Sequence, residues 1–303
     1  MTPNGGRHRA PAPAWIGELL APAQVSEASR LGWGFRNESW KVVLAGGHEI
    51  AVTRLADAEA ASSISTLTRL VGARLRAAGV PTPAVIETGG ATTAPIMLTE
   101  FVAGTAGAAL LDEPGGSGVV GSVLGATWRR LAAVNPAGLP ISSTWAAADV
   151  LVASSVERLD RAAPRLAGPE RRQVAAAIDS AGVLLAGRPP GFVHGDLVPV
   201  NIVVRDRALA ALLDFEFARI ADPLLDAAWF DCILAFHHPA DEPIAWRAFV
   251  ASAGLDDREP ATHDLLRVLP IVRLLELLDE DRGQDDSVAH WIRVLRAWLA
   301  RPP

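Results

Sequence analysis

The sequence predicts an α+β protein in two lobes, a small antiparallel sheet followed by a mainly helical region. Three observations predict it. In the first hundred residues, short apolar runs alternate with Gly- and Pro-containing turns around one helical stretch. From Gly104 onward apolar residues recur mostly at helical spacing. One pair of apolar runs, 202–204 and 208–213, breaks that helical pattern and reads as a hairpin.

The elements follow in order. Residues 1–14 are rich in Gly, Pro and Arg and read as a flexible tail, without the apolar stretch of a signal peptide. Residues 15–27 read as a helix. Two strands, 31–44 and 49–55, flank the turn Ala45-Gly46-Gly47-His48. The spacing of Ile64, Leu67, Leu70, Val71 and Leu75 predicts a helix over 62–78; Gly79 stops it, and Pro81 and Pro83 prevent its restart. Residues 85–87 and 94–101 read as two more strands. An N-lobe over 15–102 and a C-lobe over 103–303 follow. In the C-lobe, helical spacing covers 115–131, 144–163, 169–186, 226–236, 244–253, 261–278 and 287–299.

Composition narrows the function classes. The chain has 303 residues, enough for two sizeable cores, with 50% hydrophobic and 20% charged residues. A net charge of −6 argues against a nucleic-acid binder and is compatible with a cationic substrate. The single cysteine, Cys232, lies in an apolar run and reads as a buried, inert thiol that requires no oxidising compartment. Asp or Arg breaks every apolar stretch that approaches membrane-spanning length. A cytoplasmic protein, monomer or homodimer, with no membrane or nucleic-acid partner is expected. Lys41 is its only lysine.

The most informative segment is Gly191-Phe192-Val193-His194-Gly195-Asp196, with Asn201 five residues after Asp196 and Asp214 thirteen beyond that. The polar Arg205-Asp206-Arg207 turns the chain between the two apolar runs. Asn201 therefore stands where one strand begins and Asp214 where its partner ends, and Asp196 lies in the loop before them. Three oxygen-bearing side chains are expected to converge. Such oxygens suit Mg²⁺, with phosphate oxygens and water completing its shell. An aspartate outside that shell can orient a hydroxyl and take its proton.

Protein kinases carry this order of residues as H-R-D-x-x-x-x-N followed by D-F-G. Here it reads H-G-D-x-x-x-x-N followed by Asp214-Phe215-Glu216, with Asp222-Pro223-Leu224-Leu225-Asp226 behind it. The pattern resembles the aminoglycoside phosphotransferase family. The resemblance implies a bilobal protein-kinase-like fold, Asp196 as catalytic base, Asn201 and Asp214 as Mg²⁺ ligands, and ATP or GTP as phosphoryl donor. It also implies that His194 holds the catalytic loop and that the Asp222–Asp226 stretch starts a helix bracing the site.

The resemblance extends to the nucleotide. Gly32-Trp33-Gly34-Phe35-Arg36-Asn37-Glu38-Ser39 matches a phosphate-covering loop in part, and Gly34, Asn37 and Ser39 are its candidate contacts. Residues 98–104 resemble an inter-lobe hinge, so the backbone at Glu100 and Val102 is expected at the adenine edge. Kinases place a lysine on the third strand; here Arg54 occupies that position, and a guanidinium also grips phosphate. Lys41 is the other basic candidate. The helix glutamate that partners the kinase lysine has no counterpart, since Ser65, Thr68 and Arg69 fall where it is sought.

Family members bind polycations along acidic C-terminal helices. Asp231, Glu276, Asp279 and Glu280 are the corresponding candidates, within a run that also holds Asp281, Asp285 and Asp286. A solvated charged loop is the plainer reading of that run. The expected activity is transfer of a γ-phosphate to a hydroxyl of a small cationic antibiotic, an aminoglycoside or a tuberactinomycin-type peptide, conferring resistance. A metabolic kinase for choline, homoserine or a sugar amine, and a pseudokinase without turnover, are the alternatives.

Overall fold

A computed structural model describes residues 13–20, 24–31, 37–55, 61–89 and 95–302. The chain divides into two compact units, Met1–Ala109 with Ile202–Glu216, and Leu110–Asn201 with Phe217–Pro303. The hairpin thus groups with the N-terminal sheet, although it lies a hundred residues further along the chain.

The first unit contains helix α1 (Ala14–Leu20), strands β1 (Val25–Arg30), β2 (Glu38–Leu44) and β3 (Glu49–Arg54), helix α2 (Ala61–Ala77), and strands β4 (Val85–Gly89) and β5 (Ile96–Glu100). The strands form one antiparallel sheet in the order β1-β2-β3-β5-β4. Alternation decides its faces. Trp40, Val42, Ile50, Val52, Ile96 and Leu98 form one buried cluster with Ile16 of α1. Lys41, on the opposite face, pairs with Glu49 at 2.5 Å.

Two details depart from the sequence reading. Of the expected helix over 15–27, residues up to Leu20 lie in α1 and Val25–Glu27 belong instead to β1. Of the residues in β1, only Ala28 is buried; Ser26, Glu27 and Ser29 lack the apolar alternation that marks a strand. In α2, Leu70 is exposed, whereas Ser65, Thr68, Val71 and Leu75 are buried. The packed stripe is therefore rotated from the expected one, and small hydroxyl side chains occupy part of it.

A second, three-stranded sheet runs β6-β8-β9, from β6 (Thr105–Ala106), β8 (Ile202–Arg205) and β9 (Ala208–Leu212). The turn between β8 and β9 holds Asp206 and Arg207 at φ 52° and 60°. Consecutive left-handed residues suit a two-residue hairpin turn, whose twist matches that of its strands. Leu212 donates its N–H to the carbonyl of Pro81 at 2.8 Å, tying the hairpin to the segment after α2.

The second unit is helical: α4 (Gly116–Leu131), α5 (Ala148–Ala162), α6 (Gly168–Leu185), α7 (Leu224–His237), α8 (Glu242–Ala253), α9 (Pro260–Glu280) and α10 (Asp285–Leu299). The short α3 (Gly107–Leu110) precedes them, and β7 (Gly191–Val193) pairs antiparallel with β10 (Arg219–Ala221). The main core joins Val174 and Ile178 of α6, Trp229 and Cys232 of α7, Leu274 and Leu275 of α9, and Ile292 and Leu295 of α10. Helix α9 starts on Glu259, whose carboxylate accepts from the N–H groups of Ala261 and Thr262, with Pro260 at its first position.

Helices α4 and α8 touch backbone to backbone. A Cβ on Gly121 would lie 2.0 Å from the carbonyl oxygen of Ala245, and one on Gly125 would lie 2.3 Å from that of Phe249. Only glycine permits this approach. Gly121→Val is expected to lower stability by about 3 kcal/mol, at the upper end of overpacking costs, seen as a reduced urea midpoint. An unchanged midpoint would show that α8 can shift away freely.

Candidate active site

The loop carrying Asp196 is shaped by its own backbone. Strand β7 delivers the chain with Phe192 and Val193 buried. Gly195 then adopts φ +81°, and a Cβ there would stand 2.1 Å from the carbonyl oxygen of Phe217. Asp226, in the first turn of α7, is 1% exposed. Its two carboxylate oxygens accept the N–H groups of His194 and Gly195, each at 2.8 Å. Burial pushes this carboxyl up to about 7, while the two amides and Arg219 pull it down. Asp222, one residue before the N-cap Pro223, accepts the N–H of Leu224 at 2.9 Å at the start of the same helix. The D-P-x-x-D stretch therefore both starts α7 and clamps the loop.

His194 is fully buried, and its Nδ1 accepts the N–H of Asp196 at 3.3 Å. This contact gives the ring a structural part in the loop.

Asp196 is half-buried, and both its carboxylate oxygens are held. Trp229 Nε1 donates to Oδ1 at 2.8 Å and Asn201 Nδ2 to Oδ2 at 2.7 Å. Asn201 Nδ2 also donates to the main-chain oxygen of Asp196 at 2.9 Å. Two donors on two oxygens define the carboxylate plane, and each oxygen keeps a further lone pair. Among the described residues no donor reaches the amide oxygen of Asn201, so that oxygen can face a cation. Asp214 follows β9 by two residues, exposed and at φ 60°. Aspartate tolerates this left-handed conformation better than most residues.

The donor chemistry fits Mg²⁺. The side chains of Asn201 and Asp214 each carry a hard oxygen of the kind Mg²⁺ prefers. Among the described residues no three His, Cys, Asp or Glu side chains group as a metal cage. Mg²⁺ needs none, since it uses one or two carboxylates with phosphates and water.

At the nucleotide end, Gly34 lies outside the described residues. Asn37 is half-buried at the entry to β2. Ser39 and Thr53 share a hydroxyl hydrogen bond of 2.9 Å across the ladder. Glu100 Oε2 accepts the N–H of Ala84 at 3.0 Å. Among the described residues the backbone of Val102 makes no hydrogen bond within the protein.

Arg54 has a partner that the sequence reading missed. Glu38, directly across the ladder, meets its Nη2 at 2.5 Å, and the guanidinium lies 5.4 Å from the ring centroid of Trp15. The other Glu38 oxygen accepts Trp40 Nε1 at 3.0 Å. The turn expected at 45–48 would set Glu38 opposite Leu55; the observed register, with Val43 opposite Glu49 and His48 bonded to Leu44, shortens the turn to 45–47 and brings Glu38 opposite Arg54. Lys41 instead lies 4.5 Å from the ring centroid of Phe101 while pairing with Glu49.

The acidic candidates for substrate are placed differently from the expectation. Glu276 is a core residue, 5% exposed, not an open surface carboxylate. Arg219 and Arg273 reach its Oε2 at 2.6 and 2.5 Å, and Arg158 and Trp145 reach Oε1 at 3.2 and 3.1 Å. Asp279 is gripped by both Nε and Nη2 of Arg161, at 2.7 and 2.8 Å. Asp231 pairs with Arg301 at 3.3 Å, and Glu280 lies 3.7 Å from Arg273. Most of this pairing is invisible in a charge run, because Arg158 and Arg161 come from α5, Arg219 from β10 and Arg301 from the C-terminal segment, and only Arg273 lies on α9 beside Glu276.

The Glu276 cluster sets a pH dependence. Burial alone would raise this carboxyl, but Arg273, Arg219 and Arg158 together bring it from 4.5 to about 2. A depressed folded-state pKa adds stability that is present above 4.5 and lost as pH falls through about 2. Glu276→Gln is expected to cost about 3–5 kcal/mol at neutral pH, since it leaves buried guanidiniums without their counter-ion. It should also flatten the acid side of the stability profile between those pH values. Urea titrations of both proteins at a series of pH values test this, and parallel profiles would contradict it.

The sequence and the fold are similar to those of known proteins. The sequence matches the phosphotransferase enzyme family over residues 27–269. A search of curated protein sequences finds no match. Among solved structures, the GDP complex of wild-type aminoglycoside 2'-phosphotransferase-IIIa superposes with a TM-score of 0.75 at 18% identity, covering 95% of this chain and 97% of that one. A thermostable mutant of aminoglycoside phosphotransferase APH(4)-Ia, solved with ADP and hygromycin B, gives 0.71 at 17% identity, over 96% and 98%. A GDP and kanamycin complex of an APH(2") enzyme gives 0.71 at 18%, over 95% and 98%. The fold is thus the kinase-like fold of aminoglycoside phosphotransferases, with its antiparallel sheet towards the N-terminus and its helices towards the C-terminus. With a match spanning most of its length, the chain belongs to the phosphotransferase enzyme family.

Proposed function

We propose that the protein transfers the γ-phosphoryl group of ATP or GTP to a hydroxyl of a small molecule, with antibiotics of the aminoglycoside kind as first candidates. The observation that carries this is Asp196, held at both oxygens yet half-exposed, in a loop clamped by Asp226. A carboxylate so fixed can align an acceptor hydroxyl and receive its proton as the phosphoryl group arrives. Asn201 and Asp214 would hold Mg²⁺, which when bound offsets the phosphate charge. Arg54, steadied by Glu38, and the backbone of the Gly34 loop would contact the non-transferred phosphates. The unpaired backbone of Val102, beside Glu100, would receive the adenine or guanine edge.

The structurally related enzymes solved with hygromycin B and kanamycin support the antibiotic reading. One observation favours a second reading. The carboxylates expected to meet substrate ammonium groups already carry arginine partners. That suits a less cationic acceptor, such as a metabolite of a small-molecule kinase. The arrangement around Asp196 speaks against a pseudokinase, because base and candidate metal ligands are all retained.

Incubation of the protein with ATP, Mg²⁺ and a panel of hydroxylated antibiotics and metabolites should yield one product heavier by a single phosphate, read by mass spectrometry. Asp196→Asn is expected to reduce turnover at least ~10²-fold while leaving nucleotide affinity intact. Near-parental turnover would reject Asp196 as base. Asp214→Ala should abolish Mg²⁺-dependent nucleotide binding in calorimetry, and unchanged binding would remove Asp214 from the metal shell.

A further inference from the structure

Trp229 stands three residues beyond Asp226 on α7. It is 2% exposed and belongs to the main helical core. A core position of this size needs no polar atom. A buried indole N–H left without an acceptor costs stability, so its single donor needs a partner. Here the partner is the carboxylate of Asp196, with Nε1 donating to Oδ1 at 2.8 Å.

The ring is itself braced. The Trp291 ring lies 6.1 Å away at an interplanar angle of 47°. The guanidinium of Arg273, 1% exposed, lies 6.0 Å from the indole centroid and 4.5 Å from that of Phe217. Arg273 is anchored by Glu276 at 2.5 Å. The cluster that occupies Glu276 thus backs the indole, and the indole points its N–H at the loop.

We infer that Trp229 is a positioning residue for the phosphoryl-transfer reaction, fixing the Asp196 carboxylate through its indole N–H while Asn201 fixes the other oxygen. The inference rests on the reading of Asp196 as base. With Asn201 alone, the carboxylate could pivot about one hydrogen bond. With both donors its plane is set, and one lone pair on each oxygen is left for the acceptor hydroxyl. In the reaction the bond from the γ-phosphorus to the bridging oxygen breaks, and a bond to the acceptor oxygen forms. The acceptor proton passes to Asp196, and the nucleoside diphosphate leaves with the released electron pair.

The chain has nine tryptophans, so nitrogen-15 spectra of the full protein show at most nine indole N–H signals. Asp196→Ala is expected to move one of them strongly toward the position of a free indole and to speed its exchange with water. Trp229→Phe should delete that same signal. In an assay of ADP release from ATP and Mg²⁺ with water as acceptor, Trp229→Phe should lower kcat about 10- to 100-fold with the nucleotide KM unchanged. A general packing defect would instead lower the fraction of active enzyme and the melting temperature together, without a selective loss in kcat. The Asp196→Ala spectrum retains the native tryptophan, so it decides the point even if Trp229→Phe folds poorly. If Asp196→Ala abolishes ADP release while every indole signal stays in place, Trp229 has no such role. If Asp196→Ala leaves ADP release intact, the assignment of the base itself fails, and that of Trp229 with it.

Discussion

The buried carboxylate of Asp226 is the constraint on which the active-site loop depends. It takes two successive backbone N–H groups, from His194 and Gly195, where it is almost fully buried. A loop pinned in this way can hold a glycine at positive φ and a histidine with no exposure, and it presents Asp196 without help from regular structure. Because Asp226 lies in the first turn of α7, negative charge there also agrees with the direction of the helix dipole. Loop shape, helix start and the orientation of the Asp196 carboxylate are therefore coupled within one helix.

A second layer lies behind this one. Glu276 gathers Arg158, Arg219 and Arg273 from α5, β10 and α9. Buried ion clusters of this kind are poor sources of net stability, but they resist rearrangement, since separating any member strands a charge. Strand β10 is fixed through Arg219, and β10 is the strand that pairs with β7 ahead of Asp196. The acids that looked like a substrate surface in the linear sequence are thus partly internal scaffolding.

What could be read in advance divides along physical lines. The C-lobe helices and the hairpin at Ile202–Leu212 were legible because apolar periodicity and turn chemistry are local properties. The contact between Asn201 and Asp196 was legible because the five-residue spacing is written in the chain. Strand β1 was not, since Ser26, Glu27 and Ser29 borrow their strand character from the pairing with β2. The Arg54–Glu38 pair required the cross-strand register, and the Trp229 contact required the fold, since no short-range rule links an indole to a carboxylate thirty-three positions earlier. The arginines around Glu276 were hidden for the same reason: 57 to 118 residues separate Arg219 and Arg158 from it.

Cys232, three residues after Trp229, is 1% exposed on α7, and burial pushes its thiol well above the usual range. In the folded state it is screened from reagents and holds its proton. Thiol-directed dyes added to the intact protein consequently act as a clock for transient opening of α7. The rate at which they attach measures how often the helix that carries Asp226 and Trp229 leaves its place.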